Sequence, residues 1–209
     1  MASSKAKVID KVVEQARVQY EALLESQYVS SKMRIDGIET RGQIEENTRK
    51  TTTKEEQTRT ATCMLDVNVH RGSYIEIQND IYDDNYSQKG IVLTIPQRTP
   101  VDYYFTALIF NTTATRHRSQ LIYDEDGYVI SDNPLIVDEI ECFVQRIGVR
   151  ERQVDAGIDR DSVNEIITTK GWDLKKNDIL YIGSDSYKIT DIKELDKDIF
   201  YGYMTYYRV

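Results

Sequence analysis

The chain has 209 residues, enough for one large domain or two small ones with extensions. Its formal net charge is −8 and its pI is near 4.9, which argues against a protein that grips nucleic acid through lysine and arginine, though not against one that DNA slides past. No stretch approaches the roughly 20 apolar residues that cross a bilayer, and Met1 to Asp10 lacks the apolar core of a secretory leader, so no membrane role is expected.

Residues 1–30 read as an amphipathic helix. Val8, Val12, Ala16 and Tyr20 recur every fourth residue, and Ile9, Val13, Leu23 and Leu24 widen the stripe. That face needs a partner, either the chain's own β domain or a neighbouring subunit. Residues 31–61 carry almost nothing apolar between Arg41 and Thr60, and are expected to be an extended arm or linker too polar to fold by itself.

From Thr62 the pattern turns to β. A first β unit is expected over 62–149. Tyr74 to Ile77 and Gly90 to Ile95 alternate, and Tyr103 to Phe110 is rich in aromatic and branched residues. Gln120 to Tyr123 and Tyr128 to Ile130 flank Asp124-Glu125-Asp126-Gly127, which predicts a hairpin. Ile140 to Ile147 is a further strand, and Asp159 to Ile167 a helical turn or a loop. A C-terminal hairpin unit fills 150–209, with strands at 178–182, 187–192 and 199–209. The fold class is therefore mainly β with an N-terminal helix: a small barrel or sandwich, its spacing compatible with two related β units. Val69 to Ile77 reads like Leu174 to Ile182, each stretch leading to a polar turn and an aromatic strand.

Catalytic signatures are lacking. The two histidines, His70 and His117, sit in no metal-ligand spacing, and no glycine-rich phosphate loop or nucleophile elbow occurs. The acidic groups Asp80/Asp83/Asp84, Asp124/Glu125/Asp126 and Asp155/Asp159/Asp161 with Glu165 read as solvated turns. Cys63 and Cys142 read as reduced, buried hydrophobes. No catalytic residue, metal or cofactor is expected, and the chain is read as non-enzymatic. There are 15 tyrosines against 4 phenylalanines and 1 tryptophan, which suits half-exposed strand faces or subunit contacts.

Asn177-Asp178-Ile179-Leu180-Tyr181-Ile182-Gly183, followed by Tyr187-Lys188-Ile189-Thr190-Asp191-Ile192, resembles the hairpin of tailed-bacteriophage neck proteins of the head-closure (stopper) or head–tail connector type. The resemblance covers about a quarter of the chain. It implies a virion protein, assembled in the host cytoplasm, that forms a homo-oligomeric ring of the hexamer or dodecamer type. Its partners would be the portal or an adaptor and tail proteins, with DNA passing through unbound and packaged DNA retained. Tyr103, Tyr104, Phe105, Tyr187, Phe200, Tyr201, Tyr203, Tyr206 and Tyr207 are the candidate interface residues. A tail terminator or baseplate hub protein is an alternative, and an OB-type nucleic-acid-binding module another.

Overall fold

The computed structural model describes residues 4–26, 30–46, 54, 57–78, 85–123, 126, 129–148 and 161–208, and those residues form one α-helix, one short 3-10 helix (Lys170–Trp172) and thirteen strands. The chain divides into two units, Met1–Ile109 and Phe110–Val209.

The first unit begins with α1 (Ser4–Glu25). It continues through β1 (Ser31–Ile35), β2 (Ile38–Glu46), β3 (Thr58–Met64), β4 (Tyr74–Ile77), β5 (Gln88–Val92), β6 (Gln97–Arg98) and β7 (Asp102–Ile109). The strands run β3-β2-β1-β4-β5-β7, and β7 pairs back onto β3, closing a six-stranded barrel; the short β6 extends beside β7. The second unit holds β8 (Thr112–Tyr123), β9 (Val129–Arg146), β10 (Asn164–Thr169), β11 (Ile179–Ile182), β12 (Asp185–Ile192) and β13 (Ile199–Tyr206). They close a second barrel in the order β10-β13-β12-β11-β8-β9.

The segment expected to be an arm is therefore largely sheet. Residues 31–46 are β1 and β2, and β3 begins at Thr58; the intervening 47–53, 55 and 56 lie outside the described residues. Period-2 alternation is present there, with Met33, Ile35, Thr40 and Gly42 buried. Two of those four positions hold a threonine and a glycine, so the stretch looks polar although one face is interior. The unit boundary falls between Ile109 and Phe110 rather than at 149–150, because the 62–149 strands belong to two different barrels. Asn164 to Ile167, expected in a helical turn or loop, is strand β10. The expected hairpin is β8–β9, with Tyr123 opposite Val129; turn residues 124, 125, 127 and 128 lie outside the described residues.

The two barrels share one topology and one register. Ile35 faces Ile38 across β1–β2, as Arg116 faces Asp138 across β8–β9. Glu46 faces Arg59, as Arg146 faces Asn164. Arg59 then faces Ala107, as Asn164 faces Met204. Ala107 faces Val92, as Met204 faces Ile189. Gly90 lies opposite Ile109 and Ile75, as Tyr187 lies opposite Tyr206 and Leu180. Ile75 faces Ile35, and Leu180 faces Arg116, which closes the circuit. A one-residue slip would turn a strand's interior set outward, so identical register means identical interior positions.

The entry to β4 and β11 repeats at the level of single hydrogen bonds. The Ser73 Oγ accepts from the His70 amide at 3.2 Å, and Asp178 Oδ2 accepts from the Lys175 amide at 2.8 Å. Gly72 N donates to Val92 O at 2.9 Å, and Asn177 N to Ile189 O at 2.9 Å. Val92 N returns to Ser73 O at 2.9 Å, and Ile189 N to Asp178 O at 3.0 Å. The turn requires a left-handed residue, φ +90° at Gly72 and +76° at Asn177. Glycine adopts that conformation freely and asparagine at little cost, which is why those two types occupy the site.

Each barrel has its own core. Met33, Ile35, Cys63, Ile75, Val92 and Phe105 lie in the first. Ala114, Ile140, Cys142, Ile166, Leu180 and Met204 lie in the second. The two cores seat a large aromatic by different routes. Phe105 on β7 has Gly202 as its counterpart on β13, where the Phe200 ring occupies the space instead. A Cβ on Gly202 would meet Phe200 Cε1 at 2.8 Å and Ile166 Cγ2 at 3.1 Å.

Among the described residues, α1 is most covered along the side that carries Val13, Tyr20 and Leu24. Leu24 is fully buried, Val13 and Tyr20 are half-buried, and Tyr20 Oη donates to Thr62 Oγ1 at 3.0 Å. Ser30 Oγ donates to the Leu24 carbonyl at 2.5 Å and Arg41 Nη1 reaches the same oxygen at 3.4 Å, satisfying an end-of-helix acceptor.

Candidate interaction surfaces

On β7 backbone alternation decides which aromatic residue reaches solvent, whereas on β13 it does not: Tyr206 shares the face of buried Met204 yet is exposed at the strand end. On β7, Phe105 points into the barrel and is 1% exposed, whereas its neighbour Tyr104 points out and is 45% exposed. On β12 and β13, Tyr187, Phe200 and Tyr203 are buried and Tyr206 is 57% exposed. Phe105, Tyr187, Phe200 and Tyr203 are thus buried within their own barrels. Tyr103, Tyr201 and Tyr207 are half-buried, Tyr103 packing against the first core. Sequence could not separate these two sets, because β13 reads aromatic on both faces.

Several aromatic side chains of both sets are tied into local networks. Tyr187 and Tyr206 lie directly opposite each other on β12 and β13, with ring centroids 5.1 Å apart. Lys193 Nζ lies 5.1 Å from the Tyr203 ring centroid and 5.8 Å from that of Tyr201. Arg34 stands 4.1 Å over the Tyr86 ring and bonds Glu39 at 2.7 Å, which holds the Glu39 carboxyl below its usual range. Aliphatic side chains protrude at corresponding β-connections: Ile95 between β5 and β6, and Leu195, fully exposed, between β12 and β13.

Two polar constellations invite a catalytic reading, and geometry disposes of both. Asp36, His70 and Ser73 come together around one ring nitrogen. Ser73 Oγ lies 2.9 Å from His70 Nδ1, and Asp36 Oδ2 lies 3.9 Å from the same atom. A relay needs the hydroxyl and the carboxylate on opposite nitrogens. Ser73 is also buried and already accepts from the His70 amide, so it closes a turn.

The second is a pair of arginines on β8. Arg116 bonds Asp138 through Nε at 2.8 Å and Nη2 at 2.5 Å, and its Nη1 donates to Trp172 O at 2.5 Å. Arg118 bonds Asp178 through Nε at 2.7 Å and Nη2 at 2.8 Å, and also reaches Asp173. Lys175 and then Arg118 hold the Asp173 carboxyl below its usual range. Every guanidinium nitrogen is engaged by a carboxylate or a backbone carbonyl, so this group clamps the 170–178 segment over the barrel. Arg116 was not anticipated from sequence; it stands where the first barrel has Ile35.

Among the described residues, no group of three or more His, Cys, Asp or Glu is placed to hold a metal ion, and no helix is long and apolar enough to cross a membrane. Asp80, Asp83, Asp84, Asp124, Glu125, Asp155 and Asp159 lie outside the described residues. Cys63 and Cys142 are both free and fully buried, and burial pushes each thiol up to about 12. At pH 8 neither will react with a water-soluble disulfide reagent until the chain unfolds, when both will; one rapid equivalent in the native protein would contradict the structure. The unfolded state loses these protons near pH 9 while the folded state keeps them, so they withdraw stability as pH rises from about 9 toward 12.

Fold and surfaces together define a tandem closed-barrel protein with an N-terminal helix, built from two register-matched six-stranded barrels. No family model, no curated protein and no solved structure matches this chain.

Proposed function

We propose that this chain is a non-enzymatic structural subunit of a tailed-phage neck, forming a ring between portal and tail through which DNA passes. The observation that carries an assembly role is the exposed apolar surface on otherwise closed barrels. Within the closed part of each barrel every strand has a neighbour on both sides, so a subunit held there meets side chains rather than a free edge. Tyr104, Tyr206, Ile95, Leu195 and one face of α1 place apolar side chains in solvent. The acidic charge suits a wall that DNA slides along without adhering. The Asn177 to Ile192 hairpin, which carries the resemblance to neck proteins, is β11–β12 of the second barrel.

Mass photometry of the purified protein, alone and mixed with its cognate portal, tests this reading. A closed oligomer, formed alone or on the portal, is expected, and Tyr104→Ala with Tyr206→Ala is expected to reduce its population without unfolding the chain. A protein monomeric in both conditions would contradict ring formation.

A further inference from the structure

One segment of the second barrel is fastened unlike its counterpart in the first. Residues 170–178 join β10 to β11 and open with the short 3-10 helix Lys170–Trp172. Trp172 packs half-buried against the second core and Leu174 is buried in it, as Val67 and Val69 are buried in the first. The ends of the segment are tied into the sheet. Thr169 is the last residue of β10, Asn177 N donates to Ile189 O at 2.9 Å, and Ile189 N donates to Asp178 O at 3.0 Å. Between those ends the chain is held to β8 by arginine. Arg116 Nη1 donates to Trp172 O at 2.5 Å, and Arg118 Nη2 to Asp173 O at 2.5 Å. Each arginine is fixed in turn by two nitrogens on one carboxylate, Arg116 on Asp138 and Arg118 on Asp178.

The first barrel does without these charges. Ile35, Ile38 and Ser73 stand at the positions of Arg116, Asp138 and Asp178. Ionic fastening carries a condition, because an arginine held from water needs its counter-charge. The Arg116 side chain is 6% exposed, that of Arg118 18% and that of Asp178 2%. Among the described residues, the charged groups set against Asp138, Asp173 and Asp178 are Arg116, Arg118 and Lys175. Protonating Asp138 or Asp178 leaves its arginine without a partner. Moving residues 170–176 away lets water reach both guanidinium groups and exposes Trp172 and Leu174. Opening the barrel itself would expose the whole core and break its ladder, so the local movement costs less. Asp173 acts in the same direction. Lys175 and then Arg118 hold its carboxyl below the usual range, so the small stabilisation it gives is complete above that range and is lost as pH falls below it.

We propose that residues 170–176 are an acid-released strap, which leaves the second barrel when the carboxylates holding Arg116 and Arg118 take up protons, while the strands of both barrels stay paired. The strap is independent of the neck reading.

Trp172 is the only tryptophan, so its fluorescence reads the strap. The full chain is titrated from about pH 7 to about pH 2, with acrylamide quenching of Trp172 and far-ultraviolet circular dichroism followed together. Trp172 will become quenchable at least about one pH unit above the loss of the strand signal. Asp178→Asn cannot supply the counter-charge, and at about pH 7 it will already show the quenching of the acid form with its strand signal kept. Coincident loss of both signals in the parent protein, or Trp172 as protected in Asp178→Asn as in the parent, would each overturn the proposal.

Discussion

Replacing Arg116 with methionine is expected to destabilise the second barrel by about 3–5 kcal/mol, because it removes one partner of a largely buried ion pair and strands the Trp172 carbonyl. The Arg116 side chain is 6% exposed and the Asp138 side chain 33% exposed, so residual hydration of the aspartate places the loss toward the lower figure. The first barrel supplies the control. Ile35 and Ile38 occupy the corresponding register positions there, with Ile35 buried in the core. Arg116→Ile combined with Asp138→Ile removes both charges together and should recover much of the loss. Denaturant melts of the two single variants and the double variant give the coupling. If Arg116→Met costs less than about 1 kcal/mol, or the double variant is worse than the sum of the singles, the clamp is not what holds the 170–178 segment.

Phe105→Ala is expected to cost the first barrel about 3–5 kcal/mol, the usual range for emptying a buried aromatic site. Phe105 is among the largest fully buried side chains, and the barrel's closed hydrogen-bonding leaves its walls little freedom to collapse. Its counterpart gives the opposite error. Gly202→Ala drives a methyl against the Phe200 ring and Ile166, and overpacking of that kind costs about 1–3 kcal/mol. Combining Gly202→Ala with Phe200→Leu should recover part of that loss, since the methyl gains room. Chemical denaturation followed by near-ultraviolet circular dichroism checks both barrels. A Phe105→Ala protein as stable as the parent would mean that the first core is not packed as described.

Much of the fold was legible in sequence where interior positions carry interior residues. Tyr74 to Ile77, Tyr103 to Phe110, Ile140 to Ile147 and the C-terminal hairpin all show apolar period-2 patterning, and all are strands. The repeat was legible only at Val69 to Ile77 and Leu174 to Ile182, because there both barrels need the same left-handed turn residue and the same side-chain acceptor one residue later. Elsewhere the barrels solve equal positions with unequal residues. Met33 corresponds to Ala114, Gly42 to Cys142, Thr40 to Ile140, Ile35 to Arg116 and Phe105 to Gly202. Volume is conserved across a core more strictly than residue type at one position, so register can persist after sequence likeness has gone. The same exchange hid β1 and β2. Thr40 is buried but satisfied by Asp66 Oδ1 at 2.7 Å, and Gly42 has no side chain to reveal its face. For the surfaces, the apolar stripe of α1 was visible in sequence but not its division into a docked side and a free one, which depends on where the barrel lies against the helix.

The proposed assembly role is tested most directly by electron cryomicroscopy of the phage particle proposed to carry this protein. The account predicts a ring between head and tail whose every subunit shows two six-stranded barrels of the same hand and register, with Tyr104 or Tyr206 at the contact between neighbours. Density for the chain away from the neck, or single isolated copies without a ring, would contradict it.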